Sequence, residues 1–357
     1  MDFYEEDDIM AEDIIDVSNA SIINWELLKE KTIFITGATG LLGSQIVKTL
    51  IYVNEVKGLN IRLLLLVRSF QKAKDVFGEK INNEKIKIIE GDIMTNPVVD
   101  ETIDYIIHGA CPTSSKFFVE KPVETIDIIL NGTKNMLELA KLKHVLGFVF
   151  LSSLEIYGTP SHSNLIVEND YGYIDNLNVR SSYSEGKRMA ECLCVSYCKE
   201  YDIPVKIIRL SQTFGPGVEY NDGRVFAEFI RSAIEKKDII LHTQGKTVRT
   251  YCYTKDAILA ILFLLINGEK GEAYNVSNPE TAISIKDMAQ LVCDTFADAN
   301  IKVKIDIPED VSKFGYNPEM IIKLDTNKIE KMGWKATTDL QEMFKRTKQS
   351  MEYRKDK

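Results

Sequence analysis

The chain of 357 residues is poor in the groups that build metal and disulfide sites. It has four histidines, and its six cysteines (Cys111, Cys192, Cys194, Cys198, Cys252 and Cys293) lack paired metal-ligand spacing, so neither a metal centre nor a disulfide framework is expected. Reduced, buried thiols of a cytosolic protein are the simplest reading. Basic charge is also scarce. Against 53 Asp and Glu stand 44 Lys and Arg, a net charge of −9, which argues against the broad basic footprint of a nucleic-acid binder. No apolar run approaches the ~20 residues of a membrane span and no signal peptide is found, so a cytoplasmic location without a membrane partner is expected. An anionic ligand would need arginines placed locally.

What is there is the composition of a globular protein: 45% apolar and 27% charged residues, with length for a large domain and a smaller one sharing a cleft. Residues 1–30 stand apart as an acidic extension, with eight acids and no base among the first twenty. They read as a solvated leader whose apolar members, among them Ile14, Val17, Trp25 and Leu28, are able to pack onto the body as short helices. From Lys31 strands and helices alternate: KTIFITG, a helix from Leu41, IRLLLLVR, IKIIEGD, DYIIHGA, a helix around residues 132–143, and GFVFLSS. Continuous apolar runs between helices predict parallel strands covered on both faces, a doubly wound α/β domain over residues 31–210. Residues 211–350 mix helices (VFAEFIRSAIEK, KDAILAILFLLING) with short strands (IILH, EAYNVS, KVKIDI). They predict a smaller α/β lobe, some of whose segments return to the first domain. Between the two lies TFGPGVEYNDGR, a glycine-rich polar loop too long for an ordinary connection and expected to carry function.

TGATGLLG, residues 36–43, joins the first strand to the helix that starts at Leu41. Its glycines allow a tight turn and a close approach of backbone N–H groups to a pyrophosphate, and the helix N-terminus adds positive charge. Gly37, Thr39, Gly40, Leu41, Leu42 and Gly43 are the candidate dinucleotide contacts. NAD sites of this plan use an acid at the end of the second strand, where this chain has Arg68, a residue that suits the 2′-phosphate of NADP or the face of adenine. NAD is the expected cofactor, and Arg68 leaves NADP open. Asp92 and Ile93 after the third strand, and Ala110 after the fourth, are further candidate contacts; Asp92 suits a turn or helix cap equally well.

RSSYSEGKR sets Tyr183 and Lys187 four apart, on one helical face. With an unperturbed pKa of about 10, a tyrosine is a poor base near neutrality, and a nearby ammonium together with an oxidised nicotinamide would favour its phenolate. LSSLEIYG offers Ser152 and Ser153 at the C-terminal edge of a parallel strand, where open α/β sheets place their ligands, so a serine hydroxyl completes a proton-handling trio.

With T-G-x-x-G-x-x-G, a strand-end SS…YG and Y-x-x-x-K in this order, the chain from about Lys31 onward resembles the extended short-chain dehydrogenase/reductase family, the nucleotide-sugar epimerases and dehydratases. GACPTS around Cys111 and Pro112, RSSYSEGKRMAE and TFGPGVEYNDGRV are most similar to the branch that decarboxylates UDP-glucuronate. The resemblance implies a Rossmann-type doubly wound parallel sheet with a smaller C-terminal α/β substrate lobe, and a homodimer built on the helices of residues 132–143 and of Tyr183. It implies catalysis by Ser153, Glu155, Tyr183 and Lys187. In that scheme Tyr183 as phenolate takes the proton of the sugar 4-hydroxyl, Ser153 shares the hydrogen bond, and Glu155 guides the ring or protonates carbon 5.

Pro112, Ser153, Gln212, Arg224 and Arg249 take positions of substrate contacts, the two arginines at the nucleotide diphosphate. Gln212 stands where the family usually has asparagine, and Leu154 where 4,6-dehydratases carry an acid. The expected activity is decarboxylation of UDP-glucuronate to UDP-xylose. A 4-epimerase is the near alternative; a 4,6-dehydratase, an NADP-dependent reductase and a non-catalytic sugar-nucleotide sensor are more distant ones.

Overall fold

The computed structural model describes residues 7–161, 164–309 and 319–355. Its first half runs α1 (Asp8–Asn19), β1 (Thr32–Thr36), α2 (Leu41–Lys57), β2 (Arg62–Val67), α3 (Phe70–Phe77), β3 (Ile86–Glu90), β4 (Tyr105–His108), α4 (Ser115–Glu120), α5 (Pro122–Lys143), β5 (Gly147–Ser153), β6 (Leu165–Ile166), α6 (Ser181–Tyr201) and β7 (Val205–Leu210). There follow β8 (Gln212–Phe214), α7 (Val225–Glu235), β9 (Ile239–Leu241), β10 (Val248–Tyr253), α8 (Thr254–Asn267), β11 (Glu272–Val276), β12 (Asn278–Ser284), α9 (Ile285–Thr295), β13 (Val303–Ile305), β14 (Ile321–Leu324), α10 (Asn327–Glu330) and α11 (Leu340–Lys355).

Seven strands form one parallel sheet in the order β11-β7-β5-β4-β1-β2-β3. Strand succession reverses between β1 and β4, which opens a crevice beyond their carboxyl ends. This is the doubly wound, Rossmann-type plan that the sequence predicts. Every residue of β1 is buried, and all of β2 except Arg62, because helices cover both faces. On one face lie Ile46 and Leu50 of α2 with Ile261 and Leu264 of α8; on the other lie Met136 and Leu137 of α5 with Ala190 and Cys194 of α6. Each such aliphatic side chain contributes about 1.5–3 kcal/mol by leaving water, so the two faces together fix the strand order.

Two expectations need correction. The helix expected around residues 132–143 begins at Pro122, whose missing N–H is tolerated in a first helical turn. EAYNVS, named among the strands of residues 211–350, is one of the segments that return to the first domain: it is β11, the edge strand beside β7 in the large sheet. Asp7–Asn19 are not a solvated leader. Asp7 caps α1, and Met10, Ala11, Ile14 and Val17 bury one helical stripe against the body, followed by Trp25 and Leu28. This is the packing that the apolar residues of the segment allow: Asp8, Glu12 and Asp16 are exposed, while Asp7 is buried at the cap and Asp13 is buried and paired with Arg346 of α11. Residues 1–6 of the extension lie outside the described residues.

A second sheet, β12-β10-β14-β6 with β8 also against β10, is mixed: β10 and β12 are antiparallel, the other pairs parallel. It packs on α7, α9 and α11 through Phe214, Phe226, Tyr251, Met288 and Phe344. No helix among the described residues is long and apolar enough to cross a membrane.

Candidate active site

The glycine turn between β1 and α2 sits at the crevice, as its strand-to-helix context requires. Gly37 has φ +71°, and a Cβ there would meet the Gly109 carbonyl carbon at 2.8 Å. At Gly43 a Cβ would lie 2.1 Å from the Gly37 oxygen, so the turn closes only on glycine. Gly40 takes the N-cap position of α2 without a side-chain cap, which leaves the first-turn N–H groups to an anion. Thr39, Leu41 and Leu42 line the turn, half-buried. Behind it Thr36 accepts hydrogen bonds from the Gly109 and Ala110 N–H groups, both at 3.2 Å, and its hydroxyl lies 2.7 Å from His108 Nδ1. Burial pushes that histidine down to about 3, so it is neutral and serves as a rigid floor. These residues suit the pyrophosphate of a dinucleotide.

The other candidate cofactor residues lie along the same edge. Arg68 is exposed just after β2, beside Ser69, which caps α3. Asp92 is exposed and accepts from the Met94 N–H at 2.9 Å, the geometry of a turn aspartate. Ile93 is buried against Gly132 of α5, and Ala110 follows β4 half-buried.

Tyr183, Lys187 and Ser153 are brought together as their spacing suggests. Tyr183 stacks on Phe118 with ring centroids 4.3 Å apart, and both Tyr183 and Lys187 are buried. Lys187 Nζ donates to the Leu151 carbonyl at 2.8 Å and stands 4.6 Å from the Phe150 ring centre and 5.9 Å from that of Tyr183. With the protein's own groups alone, the Tyr183 phenol is shifted upward. Burial pushes its phenol well above the ordinary value, the Cys111 and Glu155 side chains add to this, and a hydrogen bond with Ser153 and the Arg180 charge oppose it without prevailing. The reason lies in the packing: the ammonium is turned toward the end of β5 and toward Cys111, whose thiol burial also raises. Tyr183 therefore holds its proton in this form of the protein.

Glu155 lies one step beyond β5, where the Ser153 hydroxyl accepts from the Glu155 N–H at 3.2 Å. Burial alone would raise its carboxyl, but Arg180 at 2.9 Å, the Arg249 charge and Ser184 at 3.1 Å hold it below the usual carboxylate range. It is an ionised acid in a dry setting. Arg249 projects from β10, and among the described residues its buried Nε has no hydrogen-bond partner. Gln212 of β8, half-buried, pairs in register with Tyr251, two residues along β10 from Arg249. Arg224 is engaged with Asp222 through Nε at 3.0 Å and Nη2 at 2.5 Å, so its charge is already partly matched. Pro112 follows Cys111 at the rim, half-buried.

Sequence reasoning missed several members of this cluster. Phe118 of α4 carries no spacing signal that would place it on Tyr183. Arg180 and Ser184 belong to RSSYSEGKR, and only their proximity to Glu155 gives them a purpose. Four residues beyond Lys187, Glu191 pairs with buried Arg209 at 2.7 Å and also takes the hydroxyl of Ser152, while Arg209 reaches the Tyr157 hydroxyl at 2.9 Å. The Tyr183–Lys187–Glu191 face of α6 is thereby locked to the ends of β5 and β7, which carry Ser153 and lead into Gln212. The periodicity of an acid at that position is the available signal.

Comparison with known proteins agrees with this arrangement. Residues 33–277 match the NAD dependent epimerase/dehydratase family. UDP-glucuronic acid decarboxylase 6 of Arabidopsis thaliana is 31% identical over 318 residues, 87% of this chain and 85% of that protein. Two solved structures share the fold. The dTDP-glucose 4,6-dehydratase of Bacillus anthracis in complex with NAD has TM-score 0.74, 19% identity and coverage of 91% of this chain and 98% of that one. The UDP-glucuronic acid 4-epimerase of Bacillus cereus in complex with NAD has TM-score 0.71, 20% identity and coverage of 90% and 96%. The cradle, the parallel sheet and these matches together establish that the chain belongs to the NAD-dependent epimerase/dehydratase family, among nucleotide-sugar enzymes that epimerise, dehydrate or decarboxylate.

Proposed function

We propose that the protein decarboxylates UDP-glucuronate to UDP-xylose by internal redox at sugar carbon 4. The observation that carries this reading is the buried Glu155 carboxylate, fixed by Arg180 and Ser184 beside the Ser153–Tyr183 pair, with Arg249 within its electrostatic reach and an Nε left to bind. A 4-epimerase must let its keto-sugar turn over in the site. In this reading Glu155, held fixed by Arg180 and Ser184, would face carbon 5 and oppose that rotation, and Arg249, expected from the resemblance at the diphosphate, is assigned instead to the hexuronate carboxylate because its charge reaches Glu155. The 31% identity to a UDP-glucuronic acid decarboxylase supports the same choice.

The glycine turn and the α2 N-terminus would hold NAD, with Arg68 against its adenosine end. Bound there, NAD would supply a hydride acceptor for carbon 4 and afterwards a hydride donor for the ketone; between the two, the carbon-4 ketone would take up the electron pair as the carbon 5–carbon 6 bond breaks and carbon dioxide leaves. Ser153 and Tyr183 would hold the carbon-4 oxygen; Tyr183 would first give its own proton to solvent, favoured by the positive charge of a bound oxidised nicotinamide, and the phenolate would then take the 4-hydroxyl proton and return it when the ketone is reduced. Lys187, tied to Leu151, keeps the tyrosine helix in register with the end of β5. Glu155 steers the ring, and it or a water it orients delivers the proton to carbon 5. Arg224, released from Asp222, would meet the diphosphate. A homodimer across α5 and α6 fits the exposed Val123, Ile126, Met189 and Val195 of those helices.

Incubation of the purified protein with UDP-glucuronate, followed by product mass and proton spectra, tests this reading. Loss of carbon dioxide supports it. Unchanged mass with altered sugar couplings replaces it with epimerisation, and no reaction with any UDP-hexuronate overturns both.

A further inference from the structure

Helices α1 and α11 lie outside the residues that match the family, yet they converge on the loop that leads to Arg224. The turn at residues 215–217 opens that loop and is held from three helices. Gln45 of α2 donates to the Pro216 carbonyl at 2.7 Å. From α11, the Ser350 hydroxyl accepts from the Gly217 N–H at 3.1 Å and Arg354 donates to the Gly217 carbonyl at 2.8 Å. Met10 of α1 lays its Cε against Gly217, and the Asp7 carboxylate that caps α1 accepts the hydroxyl of the same Ser350. Both polar backbone groups of Gly217 are thus fixed to the C-terminal helix, and that helix is fixed to the N-terminal one. The third anchor, α2, is the helix whose N-terminus forms the phosphate turn.

A second knot ties the same pair of helices to the strand of Arg249. Arg346 of α11 donates to the Tyr253 hydroxyl of β10 at 2.8 Å, to Asp13 at 2.9 Å and to the Ile9 carbonyl at 3.2 Å, and pairs with Glu12 at 3.1 Å. Four groups from two elements converge on one guanidinium, which is far more than a helix docked by apolar contact alone requires.

We propose that α1 and α11 form a clasp that sets the position of the 215–224 loop and of β10 against the cofactor helix, with Ser350 and Arg346 as positioning residues for nucleotide-sugar binding. The proposal rests on the reading of that loop as the seat of the substrate diphosphate. It makes the acidic N-terminal segment part of the substrate site without touching substrate.

Ser350→Ala and Arg346→Ala test it by amide hydrogen exchange, steady-state kinetics with UDP-glucuronate and calorimetric titration with UDP. In Ser350→Ala, residues 213–224 should exchange about fivefold faster while residues 36–43 keep the wild-type rate. The KM should rise about five- to tenfold with kcat within about twofold, the sign of lost uniform binding. Arg346→Ala should move the same readouts further. Should Arg346→Ala not fold, Ser350→Ala decides alone, since alanine preserves the helix. Unchanged exchange over 213–224, or faster exchange with unaltered UDP affinity, overturns the proposal, as does a fall in kcat at constant KM. A protein inactive on UDP-glucuronate overturns the decarboxylase reading only, because exchange and UDP titration still judge the clasp.

Discussion

The two larger sheets among the described residues are built by different means. The parallel sheet takes its first five strands from one stretch of chain, with helices between all of them except β3 and β4, and the candidate chemistry lies on short segments at its carboxyl edge: residues 36–43, the end of β5 and the start of α6. The second sheet collects β6, β8, β10, β12 and β14 from residues 165–324, and its central strand β10 is held through Tyr253 by Arg346 of α11, far away in sequence. Chemistry that recurs across a family is thus carried by local geometry. In the function proposed above, substrate choice would rest on a surface that the chain closes only through distant contacts.

The sharpest way to break this comparison is at the proton-handling pair. Tyr183→Phe keeps the ring stacked on Phe118 and removes only the hydroxyl, so folding should be intact while kcat falls about a thousandfold. Steady-state turnover with UDP-glucuronate measures it. Unchanged turnover would mean that the Tyr183 hydroxyl carries no proton in the reaction and that the chemistry lies elsewhere than on this pair.

Gly43→Ala tests the local geometry itself. Its Cβ would lie 2.1 Å from the Gly37 oxygen and 2.8 Å from the Gly37 carbonyl carbon, both backbone atoms that have no rotamer to yield. A loss of about 3 kcal/mol in denaturant melts, with NAD binding abolished, is expected. Normal NAD binding by the Gly43→Ala variant would show that the turn tolerates a displacement its packing forbids.

What the sequence makes legible follows the same division. Spacing within one element reports which side chains share a face, so Tyr183 with Lys187 and the glycines before α2 are readable, as is the parallel sheet from its apolar runs. Spacing says nothing of what stands opposite. Arg180 and Ser184 around Glu155, Phe118 beneath Tyr183 and Arg209 against Glu191 all belong to other elements from their partners or acquire meaning only there. The upward shift of Tyr183 escapes the sequence for the same reason, because burial is a tertiary quantity and the direction of the Lys187 ammonium is set by Leu151. The docking of α1 is legible in apolar residues such as Ile14 and Val17, while the acids, counted together, point to a solvated segment.

Asp13 sharpens the comparison from the distant-contact side. Burial pushes its carboxyl up to about 6, against the pull of Arg346 and Lys255 and a hydrogen bond with Tyr253; Glu12 and Asp16 face the same cations. A carboxyl raised in the folded state loses stability as pH climbs from its unfolded value toward the folded one, since the unfolded chain ionises first. Between about pH 4.5 and about pH 7.5 the wild type should therefore lose about 2 kcal/mol relative to Asp13→Asn, which does not titrate. Paired denaturant melts at the two pH values measure the difference. A constant gap would mean that Arg346 keeps Asp13 ionised throughout and that the clasp is indifferent to pH.

The smallest expected effect is at Gly223, the counterpart of Gly43 in the substrate loop. A Cβ there meets nothing within 4 Å, and its backbone is not in the left-handed region. The loop around it is held by side chains instead: Asp222 accepts from both the backbone and the guanidinium of Arg224, and Arg231 donates to the carbonyls of Tyr220 and Asp222. Gly223→Ala should accordingly leave stability within about 0.5 kcal/mol. The KM for the nucleotide sugar then becomes the informative quantity. If it too is unchanged, space at residue 223 stays open in the complex and the diphosphate is met by side chains alone. A raised KM at unchanged stability would instead mean that the loop closes until its backbone touches the nucleotide, so that the substrate side, like the cofactor side, relies on glycine for a close approach.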